Sequence, residues 1–120
     1  MAEPQNKYLY CVIKEKRFKK FNILGQEGKG VYVINEGGLA ICVSDTSKEE
    51  YSFIKECLVC HQKVIEETMF KEGYDVLPVR FGTVAKSEED IREKILKSKK
   101  KEFLETFPIV EGRIELGFRA

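Results

Sequence analysis

The run Val31-Tyr32-Val33-Ile34, then Asn35-Glu36-Gly37-Gly38, then Leu39-Ala40-Ile41-Cys42-Val43 constrains the fold more than any other part of the chain. Two apolar, largely β-branched runs flank residues that tolerate positive φ, which predicts an antiparallel hairpin. A two-stranded hairpin is marginal by itself in water, so the rest of the chain must supply more strands and a cover.

Further strands are legible on both sides. Lys7-Tyr8-Leu9-Tyr10-Cys11-Val12-Ile13 is aromatic and β-branched and reads as a first strand; Val76 to Phe81 reads as a fourth, and Arg113 to Phe118 as a fifth. Pro78 favours an edge position or a strand opening, because it offers no amide to a ladder. Residues 14–21 read as a basic segment leading into a loop with Gly25, Gly28 and Gly30.

Two helices complete the pattern. Ser47 with Glu50 matches a capping box, and Ile54, Leu58, His61, Ile65 and Met69 recur at helical spacing before Gly73. Ser87 with Asp90 caps a second helix, with Ile91, Ile95, Phe103 and Phe107 on one side and Pro108 as its stop. The order strand, hairpin, helix, strand, helix, strand predicts one α+β domain over residues 1–120. Its expected form is a ferredoxin-like variant, a mainly antiparallel five-stranded sheet with two helices on one face.

That arrangement leaves one sheet face open. In the fifth strand Ile114, Leu116 and Phe118 share a side opposite Arg113, Glu115 and Arg119, whereas the first strand is apolar on both sides. With Leu9, Cys11 and Ile13 turned to the helices, the open face presents Tyr8, Tyr10, Tyr32, Arg80, Arg113 and Glu115. Tyrosine and arginine are the composition of a protein-recognition surface, and a solvated sheet face is the plain alternative. Arg80 is expected either to pair with a carboxylate such as Glu115 on a neighbouring strand or to anchor a partner.

Composition narrows the function. Charged residues make up 34% of the 120, yet the formal net charge is +1, so no global field drives the chain toward nucleic acid or an anionic membrane. Met1-Ala2-Glu3-Pro4-Gln5-Asn6 lacks the apolar core of a signal peptide, and no apolar run approaches the ~20 residues of a membrane span. A cytoplasmic protein with reduced cysteines is expected.

The motifs that could carry chemistry are weak in context. Cys57-Leu58-Val59-Cys60-His61 matches the C-x-x-C-H form of haem attachment, but it falls inside an amphipathic helix in a chain with no export signal. Zinc would find three ligands crowded on one turn and no second Cys/His pair. A redox dithiol belongs at a helix N-terminus, and this one lies about three turns in. Two ordinary cysteines and a boundary histidine are the expected reading, with no metal and no cofactor.

The carboxylate pairs at Glu49-Glu50, Glu66-Glu67 and Glu88-Glu89 fall near helix starts or on helix surfaces, and the glycine-rich residues 25–30 lack a phosphate-loop pattern. With one histidine and no nucleophile–base pair, the chain does not read as an enzyme. Basic clusters at 14–20 and 97–101 are one footprint of nucleic-acid binding. The sheet, however, lacks an RNA-binding aromatic signature, and residues 86–106 balance seven basic groups with six acidic ones.

Several blocks in order carry a resemblance over nearly the whole chain: Tyr8-Leu9-Tyr10-Cys11-Val12-Ile13, Gly38-Leu39-Ala40-Ile41-Cys42-Val43-Ser44-Asp45, His61-Gln62-Lys63-Val64-Ile65-Glu66, Leu77-Pro78-Val79-Arg80-Phe81-Gly82-Thr83-Val84 and Gly112-Arg113-Ile114-Glu115-Leu116-Gly117. Together they resemble the gas vesicle protein F/L family. The resemblance implies an α+β N-terminal domain normally followed by a helical C-terminal domain, with this chain ending where the first domain ends. It further implies a non-enzymatic accessory protein of gas vesicles, acting in assembly or as a minor structural component. Its expected contacts are the principal gas vesicle shell protein, other gas vesicle proteins and its own C-terminal domain. The competing reading from the residues is a ferredoxin-like regulatory module that binds a small molecule or RNA.

Overall fold

The computed structural model describes residues 6–110. Among these residues six strands, β1 (Asn6–Lys14), β2 (Lys20–Leu24), β3 (Gly30–Glu36), β4 (Leu39–Thr46), β5 (Leu77–Pro78) and β6 (Val84–Ala85), form one sheet in the order β2-β3-β4-β1-β5, with β6 also on β1. Every pairing is antiparallel. The helices are α1 (Lys55–Phe70), the short α2 (Glu88–Asp90), a π-helical segment Ile91–Lys97, and α3 (Lys100–Val110). The α+β class and the mainly antiparallel sheet are as the sequence predicts.

The hairpin forms between β3 and β4, where Glu36 faces Leu39 across a two-residue turn and Gly37 and Gly38 both have positive φ. β2 hides in the sequence because lysines flank it, yet Phe21 and Ile23 are buried in strict alternation with exposed neighbours. The expected strand 76–81 is shorter and divided: β5 stops at Pro78, a turn intervenes, and β6 resumes at Val84. The expected fifth strand, with Arg113 and Glu115, lies outside the described residues.

Helix starts and stops differ in instructive ways. The Ser47–Glu50 box opens no helix; α1 begins at Lys55, and Ile54 provides no side-chain cap. Residues 47–54 instead let the Tyr51 hydroxyl reach back to Thr46 Oγ1 at 2.7 Å and donate to Glu27 Oε2 at 2.9 Å. Ser87 does cap, its Oγ accepting from the Asp90 amide at 3.1 Å. Pro108 lies inside α3 rather than ending it. So near the C-terminal end it removes only the bond its own amide would have made.

The main departure concerns the sheet faces. The helices are not on one face. α1 covers a core that includes Tyr8, Tyr10, Cys11, Ile13, Val33 and Cys42. The segment 88–110 covers the opposite core, with Leu9, Val12, Ile34, Ile41, Ile91, Leu96 and Phe107. A β-bulge in β1 explains the sorting: Leu9 pairs Val43 and Cys11 pairs Cys42, which leaves Tyr10 unmatched. The extra residue shifts the alternation, so Tyr8, Tyr10, Cys11 and Ile13 share one side while Leu9 and Val12 take the other. A strand apolar on both sides is what a sheet covered on both faces requires.

Candidate interaction site

The motif Val79-Arg80-Phe81-Gly82-Thr83 forms a tight turn between β5 and β6. The Thr83 amide donates to the Arg80 carbonyl at 3.3 Å, and Thr83 Oγ1 donates to the same oxygen at 2.8 Å. Gly82 holds φ +87, a conformation that costs a side-chain-bearing residue about 1–2 kcal/mol. Backbone bonds from Val79 N to Tyr10 O at 2.9 Å and from Leu9 N to Thr83 O at 3.0 Å tie both ends to β1.

Two buried side chains fix the middle of the turn. The Gly82 amide donates to the Tyr8 hydroxyl at 3.1 Å, and Tyr8 lies 2.9 Å from His61 Nδ1. His61 Nε2 lies 2.9 Å from the Val79 carbonyl, which can only accept, so Nε2 carries the proton and Nδ1 accepts from Tyr8. The relay therefore runs from Gly82 through Tyr8 and His61 to Val79, closing on the turn where it began. Burial lowers the His61 pKa, against the opposing effect of its bond to Val79, so the ring is neutral. Burial likewise raises the Tyr8 pKa.

This geometry also answers the C-x-x-C-H pattern. The His61 lone pair that a metal would need already accepts from Tyr8. Cys57 and Cys60 pack partly buried against the α1-side core, and burial raises the Cys60 thiol. Among the described residues no cluster of three or more Cys, His, Asp or Glu side chains could hold an ion.

A second polar network lies beside the first. Tyr10 Oη is 2.7 Å from Ser44 Oγ and accepts from the Gln26 amide at 2.8 Å. Gln26 Nε2 donates to the Cys57 carbonyl at 2.8 Å, joining the turn at 25–28 to α1. Desolvation dominates the upward shift of the Tyr10 pKa.

The residues expected to share an open sheet face are thus separated. Tyr8 and Tyr10 are fully buried beneath α1 and hold loops in place from inside. Tyr32 packs half-buried on the other side, donating to Asp45 Oδ1 at 2.6 Å, while Lys7 Nζ reaches the same oxygen at 2.8 Å. Arg80 projects exposed from the turn. Arg113 and Glu115 lie outside the described residues. Among the described residues each sheet face carries a helical layer, so Tyr8, Tyr10, Tyr32 and Arg80 do not share an open face.

What surrounds Arg80 was missed in the sequence. Phe81 packs against His61 and Tyr8, and its ring meets Phe53 edge-on at 5.2 Å between centroids. Phe53 is 78% exposed, Ile54 51%, Val59 55% and Leu58 39%. The expected apolar stripe of α1 is buried at His61 and Ile65 but open at Ile54 and Leu58. The signal was present: the stripe begins earlier than the core beneath it. The result is an apolar patch around the start of α1, joined through Phe53 and Phe81 to the turn 79–83.

Known proteins share this architecture. A profile of the family described as "Gas vesicle synthesis protein GvpL/GvpF" matches residues 6–120. Gas vesicle protein F of Microcystis aeruginosa is 29% identical over 112 residues, covering 93% of this chain and 46% of that protein. Gas vesicle protein F of Nostoc sp. is 28% identical with the same coverage. The crystal structure of the gas vesicle protein GvpF from Anabaena sp. PCC7120 superposes with a TM-score of 0.81 at 27% identity, over 90% of this chain and 46% of that one. The Microcystis aeruginosa GvpF crystal structure gives 0.75 at 29% identity, over 89% of this chain and 44% of that one. The chain spans somewhat under half the length of these relatives. It belongs to the gas vesicle synthesis protein GvpL/GvpF family.

Proposed function

We propose that this chain is a single α+β domain of a non-enzymatic gas vesicle accessory protein, acting in assembly or as a minor structural component at the gas vesicle in the cytoplasm. It works by contact, with the principal shell protein and other gas vesicle proteins as partners and its own helical C-terminal domain as a neighbour. Family membership supports the accessory role. The observation that carries the contact reading is the patch of Phe53, Ile54 and Leu58 beside a turn whose conformation is fixed from within by Tyr8 and His61. Exposed aromatic and aliphatic groups are the make-up of an interface centre, and a turn already held by hydrogen bonds loses little entropy on binding.

Three cations of the second helical segment are offset within their own helix. Arg92, Lys94 and Lys97 pair with Glu88, Asp90 and Glu93 one turn away. The test is a pull-down of the 120-residue chain against the principal gas vesicle shell protein at low and high salt, with Phe53→Ser and Leu58→Ser variants. Binding that survives high salt and is lost in the variants supports the reading. Binding absent at both salts, or unchanged in the variants, removes it.

A further inference from the structure

A second recess lies on the other side of the same turn, away from Phe81. It is a groove of about 350 Å³ where the β1–β5 edge of the sheet meets the helical segment 95–103. Its walls are apolar, with Leu9, Val12, Leu77, Val79, Ile95 and Phe103. Its polar lining is one-sided: Arg80 and Thr83 from the turn and Lys99 from just before α3. No carboxylate is among the described residues that line it. Among the described residues neither Arg80 nor Lys99 has an ion-pair partner, whereas Arg92, Lys94 and Lys97 each pair with a carboxylate one turn away.

Two exposed, unpaired cations at the rim of an apolar groove define a ligand by complement. It must bring apolar side chains for the walls and carboxylates for the rim. The turn that carries Arg80 is held by hydrogen bonds at Gly82 and Val79, which fixes where the arginine leaves the backbone, and a guanidinium can bind a carboxylate through two parallel N–H groups. Pro78 on the outer strand denies the groove an amide donor, which disfavours addition of another strand and favours recognition through side chains.

We propose that this groove is a docking site for an acidic amphipathic segment of a partner protein, whose apolar side enters between Val79 and Phe103 and whose carboxylates meet Arg80 and Lys99. The proposal rests on the reading of this chain as a contact protein. It adds a second surface, charge-selective where the Phe53 patch is apolar.

The probe is a fluorescein-labelled helical peptide of leucine, alanine and glutamate, with glutamates flanking a leucine stripe. It is titrated into the 120-residue chain beside a glutamine-for-glutamate counterpart and a labelled oligouridylate. Binding of the acidic peptide is expected to weaken roughly tenfold or more in Arg80→Gln/Lys99→Gln, and by a similar factor for the glutamine peptide. Amide shift changes should centre on Val79, Thr83 and Lys99. The proposal is overturned by no saturable binding, by equal binding of the glutamine peptide, by indifference to the double substitution, or by shifts centred on Phe53 and Leu58. Stronger binding of the oligouridylate would replace it with a nucleic-acid site. A shell-protein pull-down that persists unchanged in Arg80→Gln/Lys99→Gln, alongside a failed peptide titration, removes the groove and leaves the accessory function standing.

Discussion

The two faces of the sheet are built differently. Beneath α1 the core is threaded with hydroxyl and imidazole groups: Tyr8, Tyr10, Ser44, Thr46, Tyr51 and His61 are all buried and hydrogen-bonded. Beneath the 88–110 segment the buried core is aliphatic apart from Phe107. Apolar packing is non-directional and supplies most of the stability, whereas hydrogen bonds add modest net energy but fix geometry. Both faces bury apolar side chains that hold the molecule together, and the face beneath α1 also carries the hydrogen bonds that set where its turns point. Both the turn at 79–83 and the turn at 25–28 are tied to tyrosines of β1.

That contrast can be broken experimentally. The largest effect is expected on the aliphatic face: Leu96→Ala should cost about 2–5 kcal/mol in chemical denaturation, leaving the protection of the Gly82 amide against exchange in line with global stability. Tyr8→Phe should cost about 1–3 kcal/mol, since it strips His61 Nδ1 and the Gly82 amide of a partner. Its mark is local, with Gly82 exchanging faster than the loss of global stability explains. A uniform exchange increase in Tyr8→Phe would erase the distinction between the faces.

Smaller effects sharpen it. Gly82→Ala should cost about 1–2 kcal/mol, because an added Cβ meets open space and only the positive φ is penalised. The pH response should come from the polar face. His61 has a folded-state pKa below its ordinary 6.5, so below that pH the unfolded chain binds a proton that the folded chain resists. Stability should fall as pH drops through about 6.5 and keep falling to the folded pKa. His61→Gln should flatten that slope in denaturation at a series of pH values, while Leu96→Ala should shift the curve without changing its slope.

The strongly patterned parts of the fold were legible in the sequence. Two glycines between β-branched runs left only a hairpin, and Ser87 announced a helix start. β2 was not legible because Lys19 and Lys20 obscure the alternation of Phe21 and Ile23. The Ser47–Glu50 box lost to a tertiary demand, the reach of Tyr51 to Thr46 and Glu27. The site was half legible. Arg80 stood out as an arginine in an apolar run, but one bulged residue in β1 reversed the facing of Tyr8 and Tyr10, and periodicity carries no notice of a bulge.

The central claim is that the polar face pre-sets a contact turn while the aliphatic face does not. Its most direct test is the affinity of the principal gas vesicle shell protein for Tyr8→Phe and for Leu96→Ala, at a temperature where both variants are fully folded. Weaker binding by Tyr8→Phe with near wild-type binding by Leu96→Ala is the predicted result. Wild-type affinity in Tyr8→Phe, or equal losses in both, would contradict it.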